Sequence, residues 1–246
     1  MFKTSTGLVR NVHSQIADRI GMSIIRGEIA PGEVLPSEMR ICEMLEVSRP
    51  VVREAIRVLA GKGLIESRAK SGTRVRPPEA WSHLDPDVLR WRLASTDVDT
   101  YLQKLFALRY AVEPAAAAIA AEAATAEDCA AIGAALAGMD NAADNAAFVE
   151  ADIAFHKAIY LATRNELFWP IAQMLEISSR QSFTIAAEGD HRKRALAEHR
   201  AVFTAIEARQ PEAARAAALV LLDSSAGDLE KLRAPAPART TARTPA

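Results

Sequence analysis

Between residues 115 and 147 the chain is so rich in alanine that close helix packing is expected there rather than disorder. Alanine is the strongest helix former, and its single methyl lets neighbouring helices approach. The surroundings agree. Aromatic residues make up only 5% of the chain, and glycines number 11 in 246 residues. From Asp99 to Leu232 nothing but helices is expected, over 99–123, 126–139, 144–163, 166–187, 190–208 and 211–232. Thr125, Asp144, Asn165 and Asp190 serve as starts; Gly189 and Gln210-Pro211 serve as breaks. After Leu232 a Pro/Ala/Thr/Arg-rich stretch over 233–246 reads as a disordered tail.

The front of the chain follows another pattern. Val12, Ile16, Ile20 and Ile24 recur every four residues, an amphipathic helix that ends before Gly27. Ala30-Pro31-Gly32-Glu33 is a turn. Ser37 is expected to cap a second helix whose buried side carries Ile41, Met44 and Leu45. Ser48 is expected to cap a third, with Pro50 in its first turn and Val52, Ala55, Ile56 and Leu59 on one side. Arg49, Arg53 and Arg57 form a row beside that stripe. Gly61 and Gly63 stop the helix, and residues 64–67 and 73–76 read as two strands around Lys70-Ser71-Gly72. Helix, turn, helix and a two-stranded wing is a DNA-binding layout. The fold class is therefore mainly α, an N-terminal winged helix-turn-helix followed by an all-α bundle.

Charge divides the same way. Residues 1–80 carry 13 Lys/Arg against 9 Asp/Glu, whereas residues 81–246 carry 17 against 22. A basic front suits a polyanion. The expected domains are 1–77 for DNA, 78–98 as a packed connector holding Trp81, Leu84, Val88, Leu89, Trp91 and Leu93, and 99–232 for effector binding and dimerisation. Cys42 and Cys129 lack the CxxC spacing of a metal or redox site. No apolar run reaches the ~18 residues of a membrane helix, so no membrane partner and a cytoplasmic location are expected.

Several segments now line up in order: Leu35-Pro36-Ser37-Glu38, Val47-Ser48-Arg49-Pro50-Val51-Val52-Arg53-Glu54-Ala55, Gly63-Leu64-Ile65 and Ser71-Gly72-Thr73. This pattern resembles the winged helix of GntR-type transcriptional regulators. Arg109 with Val112-Glu113-Pro114, Asp152-Ile153-Ala154-Phe155-His156, Asn165-Glu166-Leu167 and Glu198-His199-Arg200-Ala201 resemble the FCD effector domain of the FadR subfamily. The connector around Asp85-Pro86 and the Ile177-Ser178-Ser179 segment are similar to those of sugar-acid-responsive repressors, galactonate regulators among them.

The resemblance implies a homodimer that binds a double-stranded DNA operator and is controlled by a small carboxylate such as an aldonate. It assigns Arg49 and Arg53 to DNA bases, counts Ser37 among the DNA-binding residues, leaves phosphate to Ser48 and the helix-start amides, and gives Lys70, Ser71 and Gly72 to the wing tip. Two positions depart from the family. Met39 stands where many relatives carry a DNA-contacting Arg, with Arg40 one position on, about 100° around the helix. Val51 replaces a frequent Thr or Ser and can touch a thymine methyl but cannot hydrogen-bond.

Asp152 and His156, four apart, project from one helical face, and His199 lies on a later helix. A carboxylate with two imidazoles is a competent set for a divalent metal, zinc first, with nickel or manganese as the other candidates. Full sites in the family add a third His, and Leu221 stands in its place. Arg109, on an apolar helix, needs a partner: the effector's carboxylate or Glu113 at i+4. Ser178, Ser179 and Arg180 are expected to face the polyol end of a sugar acid. The rival readings are an enzyme using Asp152, His156 and His199 as a catalytic metal site, a regulator sensing another organic acid without metal, and a ligand-free helical interaction module. No nucleophile–base motif accompanies the first of these.

Overall fold

The computed structural model describes residues 12–68, 71–186 and 192–233. Lys70, the helix start at Asp190 and the tail from residue 234 lie outside the described residues, as does the side chain of Ser179. The chain divides into two compact units between Tyr101 and Leu102.

The first unit contains α1 (Val12–Ile25), α2 (Glu38–Leu45), α3 (Arg49–Gly61), the strands β1 (Ile65–Arg68) and β2 (Gly72–Val75), and α4 (Pro86–Leu93). The strands pair antiparallel, with Ile65 opposite Val75 and Arg68 opposite Gly72. Residues before α2 extend this wing, since the Leu35 amide donates to the Thr73 carbonyl at 2.8 Å and the Val75 amide to the Glu33 carbonyl at 2.9 Å. Ile16, Ile20 and Ile24 of α1, Val52, Ala55 and Leu59 of α3, and Ile65 and Val75 of the wing form one core. Full burial of each large aliphatic side chain is worth roughly 1.5–3 kcal/mol.

The connector is part of this core. Trp81, Val88 and Trp91 are buried in it. The Trp91 indole donates to Asp18 at 2.9 Å and the Trp81 indole to the Arg76 carbonyl at 3.0 Å. Lys62 pairs with Asp85 at 2.8 Å and Asp87 at 2.7 Å. Asp85 also caps α4 through the amides of Asp87 and Val88. Two glycines make this packing possible. Trp91 lies where a Cβ on Gly21 would be, 2.5 Å from its ring. Gly63 has φ +77°, and a Cβ there would meet the Ala80 carbonyl oxygen at 2.4 Å. A left-handed backbone costs an L-residue about 1–2 kcal/mol before that clash is counted.

The second unit holds α5 (Val98–Ala123) from Leu102 onward, α6 (Ala126–Asp140), α7 (Asn145–Ala162), α8 (Trp169–Ala186), α9 (Arg192–Glu207) and α10 (Pro211–Arg233). Helix α6 packs on α7 and α9, α7 on α8, and α10 on α9 and α8. Ala116, Ala117, Ala120 and Ala121 of α5 are buried, which gives the alanine-rich stretch its use in close packing. Thr125 and Asp128 form a capping box, and Asp144 caps α7 through the Ala147 amide at 2.8 Å. Among the described residues no helix is long and apolar enough to cross a membrane.

Four local expectations are corrected. Met44 is 59% exposed, so the buried side of α2 rests on Ile41 with Leu45 half-buried. Leu84 is exposed at the connector's surface. The hydroxyl of Ser48 makes no cap hydrogen bond among the described residues; its carbonyl accepts from Val51 and Val52 instead. Helix α8 begins at Trp169 rather than at residue 166. A helix from 166 would drive the Pro170 ring into the Glu166 carbonyl; Asn165 instead closes a turn, accepting from the Leu167 amide at 3.0 Å.

Candidate functional site

Two regions carry chemistry, one in each unit. In the first, Ser37 caps α2 through the Arg40 amide at 3.3 Å, and Arg40 pairs with Glu43 at 3.1 Å. Packing of α3 on the core turns Arg49, Arg53 and Arg57 outward, and all three are exposed. Arg49 reaches Glu38 on α2 at 3.5 Å, and Arg57 is held by both oxygens of Glu54. Glu38, Arg49, Arg53, Glu54, Arg57 and Ser67 border an open groove of about 600 Å³. Ser71 and Gly72 stand exposed at the wing, with Gly72 at φ +78°. Val51 is half-buried against the core beneath the Arg row. An exposed Arg row at a helix N-terminus, next to a wing, is the arrangement that enters a DNA groove.

In the second unit, α7 presents Asp152 and His156 one turn apart, and α9 brings His199 to them. One ligand atom from each lies within 4.8 Å of the others. His199 Nε2 stands 2.8 Å from Asp152 Oδ1 and His156 Nε2 3.3 Å from the same oxygen. The outer nitrogens are also engaged. His199 Nδ1 lies 2.6 Å from the Ala195 carbonyl, which can only accept, so Nδ1 carries the proton. His156 Nδ1 lies 3.2 Å from Glu113. Phe155, fully buried, sets its ring edge-on to His199 at 5.0 Å between centroids.

Glu113 links this cluster to Arg109. The Arg109 guanidinium donates to Glu113 through Nε at 2.5 Å and through one terminal nitrogen at 3.3 Å. Both residues are buried, Arg109 to 1% exposure. Burial opposes ionisation of Glu113, but Arg109 and His156 outweigh it and hold its pKa at about 2. Burial likewise opposes charging of His156, yet Glu113 and Asp152 raise it to about 9. Asp152, also against the cost of burial, is held well below the usual carboxylate range by His199 and His156. Burial pushes the Tyr160 phenol far above its ordinary value.

Two cavities of about 10 Å³ flank His156, room for about one water each. Glu113, His156 and Tyr160 border both; Lys157 and Glu176 border one, Leu221 and Ala218 the other. Leu221 thus brings an aliphatic wall to the cavity beside His156. Other expected residues lie elsewhere. Ser178 is fully buried with its hydroxyl on Met174 Sδ at 3.7 Å, and Arg180 pairs with Glu150. The sequence reading left out the Glu113–His156 contact and Tyr160. A signal existed for Tyr160 alone: Asp152, His156 and Tyr160 stand at i, i+4 and i+8 on one face of α7.

The donor set fits a divalent cation. Its inward nitrogens and carboxylate converge, while each imidazole's other nitrogen faces an acceptor, as metal-bound histidines require.

A winged helix with an outward Arg row defines a DNA-binding regulator of transcription. The comparisons agree. Residues 12–75 match the gntR family of bacterial regulatory proteins, and residues 104–224 match the FCD domain. The chain is 36% identical over 225 residues to the galactonate operon transcriptional repressor of Escherichia coli (strain K12), covering 90% of this chain and 98% of that one. It is 29% identical over 214 residues to the transcriptional repressor NanR of Enterobacter sp. (strain 638), covering 83% and 80%. The solved Streptococcus agalactiae GntR superposes with TM-score 0.50 at 25% identity, covering 86% of this chain and 97% of that one. Lar, which controls the expression of the Listeria monocytogenes agr system, shares the fold with TM-score 0.61 at 18% identity, covering 94% and 100%. The chain belongs to the GntR family of bacterial transcriptional regulators and carries its FCD domain; these relatives are regulators, not enzymes.

Proposed function

We propose that this protein is a cytoplasmic, homodimeric repressor that leaves its operator when a small sugar acid, such as an aldonate, binds in the C-terminal domain. One observation carries the reading: an Asp152/His156/His199 set, Asp152 and His199 buried and His156 largely so, with the outer nitrogens of both imidazoles partnered, in a chain of the GntR family that matches a galactonate operon repressor over nearly its whole length. Residues 1–77 bind DNA, 78–98 connect, and 99–232 sense the acid and dimerise. Arg49 and Arg53 read bases; Ser37, Arg40, Ser48 and the wing tip at Lys70, Ser71 and Gly72 approach the backbone.

Asp152, His156 and His199 would hold a divalent ion, zinc before nickel or manganese, which when bound supplies a cationic centre for an oxygen ligand. Charge supports an acid as that ligand. Asp152 and Glu113 against Arg109 and a dication leave one positive charge in a buried site, and a single carboxylate cancels it. Glu113 fixes the His156 ring through Nδ1 and holds Arg109 beside it. The small cavities beside His156 are closed to a six-carbon acid. The acid therefore binds an arrangement in which the walls from α8 or α10 have moved. That preference is the differential affinity any release mechanism needs.

Arg109→Lys tests the step, because it keeps the charge against Glu113 but loses the planar fork. Operator affinity is expected to stay within about 2-fold, while the acid concentration for half-release rises about 10-fold or more. Release of this variant at the wild-type acid concentration, in an operator anisotropy titration, would make Arg109 a structural partner of Glu113 only.

A further inference from the structure

We infer that Tyr160 binds the small acid, its hydroxyl donating to a carboxylate oxygen of the ligand in the space beside His156, a role that rests on the sensor reading above. Tyr160 is 1% exposed, and its Oη is buried with no hydrogen-bond partner among the described residues. A buried hydroxyl without a partner is destabilising, and such exceptions in folded proteins call for an explanation in function or in a bound group. Phenylalanine would fill the same space without that cost, so packing does not account for the hydroxyl.

Its surroundings say what it is for. Tyr160 borders both cavities that flank His156 and follows Asp152 and His156 along the same face of α7. The nearby acceptor, Glu113, already takes bonds from Arg109 and contacts His156. The ring leans on Phe168, centroids 6.2 Å apart, which restrains the phenol against swinging out to solvent. The phenol O–H and the His156 imidazole border the same small spaces, and the Arg109 guanidinium lies behind them on Glu113, a set of donors and cations. Such a set takes an anionic oxygen ligand. A site built around a hydrogen-bond donor also discriminates strongly when its partner is matched, so Tyr160 is placed to set specificity as well as affinity.

The test is calorimetric titration of D-galactonate and D-gluconate into zinc-loaded full-length protein, wild type and Tyr160→Phe. The variant is expected to bind the acid about 10–100-fold more weakly. Its ligand-free melting temperature should equal or exceed that of wild type, with zinc content and operator affinity unchanged. Equal acid affinity in the two proteins would overturn the role of Tyr160 and leave the sensor reading standing. A lower melting temperature together with loss of zinc in the variant would also overturn it, since the hydroxyl would then serve the fold. If neither acid binds wild type, the sugar-acid reading falls and the role of Tyr160 falls with it.

Discussion

Arg49→Ala and Arg53→Ala should each weaken specific operator binding by ~1–3 kcal/mol, the worth of one good guanidinium–base contact. That value is per half-site; in the proposed dimer on a pseudo-palindrome each arginine meets two half-sites, so the loss per operator is ~2–6 kcal/mol. Stability should change little. Both side chains are exposed, and the Arg49–Glu38 pair at 3.5 Å is a surface contact of small value. Arg57→Ala is the useful contrast: Arg57 is already held by both oxygens of Glu54, a turn further along α3. It should affect binding to all sequences alike and lower the salt dependence. Anisotropy titration of operator and scrambled duplexes at fixed salt measures this, with denaturant midpoints as the stability control. Wild-type operator affinity in both Arg49→Ala and Arg53→Ala would contradict the assignment of α3 to base reading.

The second large effect belongs to the imidazoles. His156→Ala combined with His199→Ala should abolish stoichiometric divalent metal and the response to acid. A ligand present at 100 times its dissociation constant stabilises a protein by about 2.7 kcal/mol, so chelation should lower the wild-type melting temperature by roughly 5–10 °C. The double variant also leaves Asp152 buried without its partners, which destabilises by itself. The decisive readout is therefore chelator sensitivity: the variant's melting temperature should not move with EDTA. A wild-type protein that holds no divalent metal and gains no stability from zinc, nickel or manganese would contradict the metal reading.

These residues were legible in the sequence to different degrees, for physical reasons. The wing and its helices were readable because backbone geometry dictates residue type there. Only glycine suits position 63, with φ +77° and a carbonyl 2.4 Å from any Cβ, and Ser37 serves as an N-cap. The Asp152/His156 pair was readable because i and i+4 share a helix face in any context. His199 needed the family pattern, since its register against α7 is set by packing of α9 across the bundle. The Glu113–His156 contact depends on how α5 and α7 meet, and no local spacing encodes that. Tyr160 reads as one more core aromatic until its hydroxyl is found without a partner. Met44 fits the helical period of α2, yet its position looks onto solvent because so short a helix buries little beyond Ile41.

One titration decides whether a sugar acid acting on the FCD domain releases this regulator from DNA. Zinc-loaded wild-type protein is bound to its labelled operator at fixed salt, and D-galactonate is added while anisotropy is followed. Release is expected, with operator affinity falling ~5–150-fold at saturating acid, the range of an allosteric coupling of ~1–3 kcal/mol. EDTA-treated protein should stay bound at the same acid concentrations. Operator affinity that is the same with and without saturating galactonate and other aldonates would contradict it.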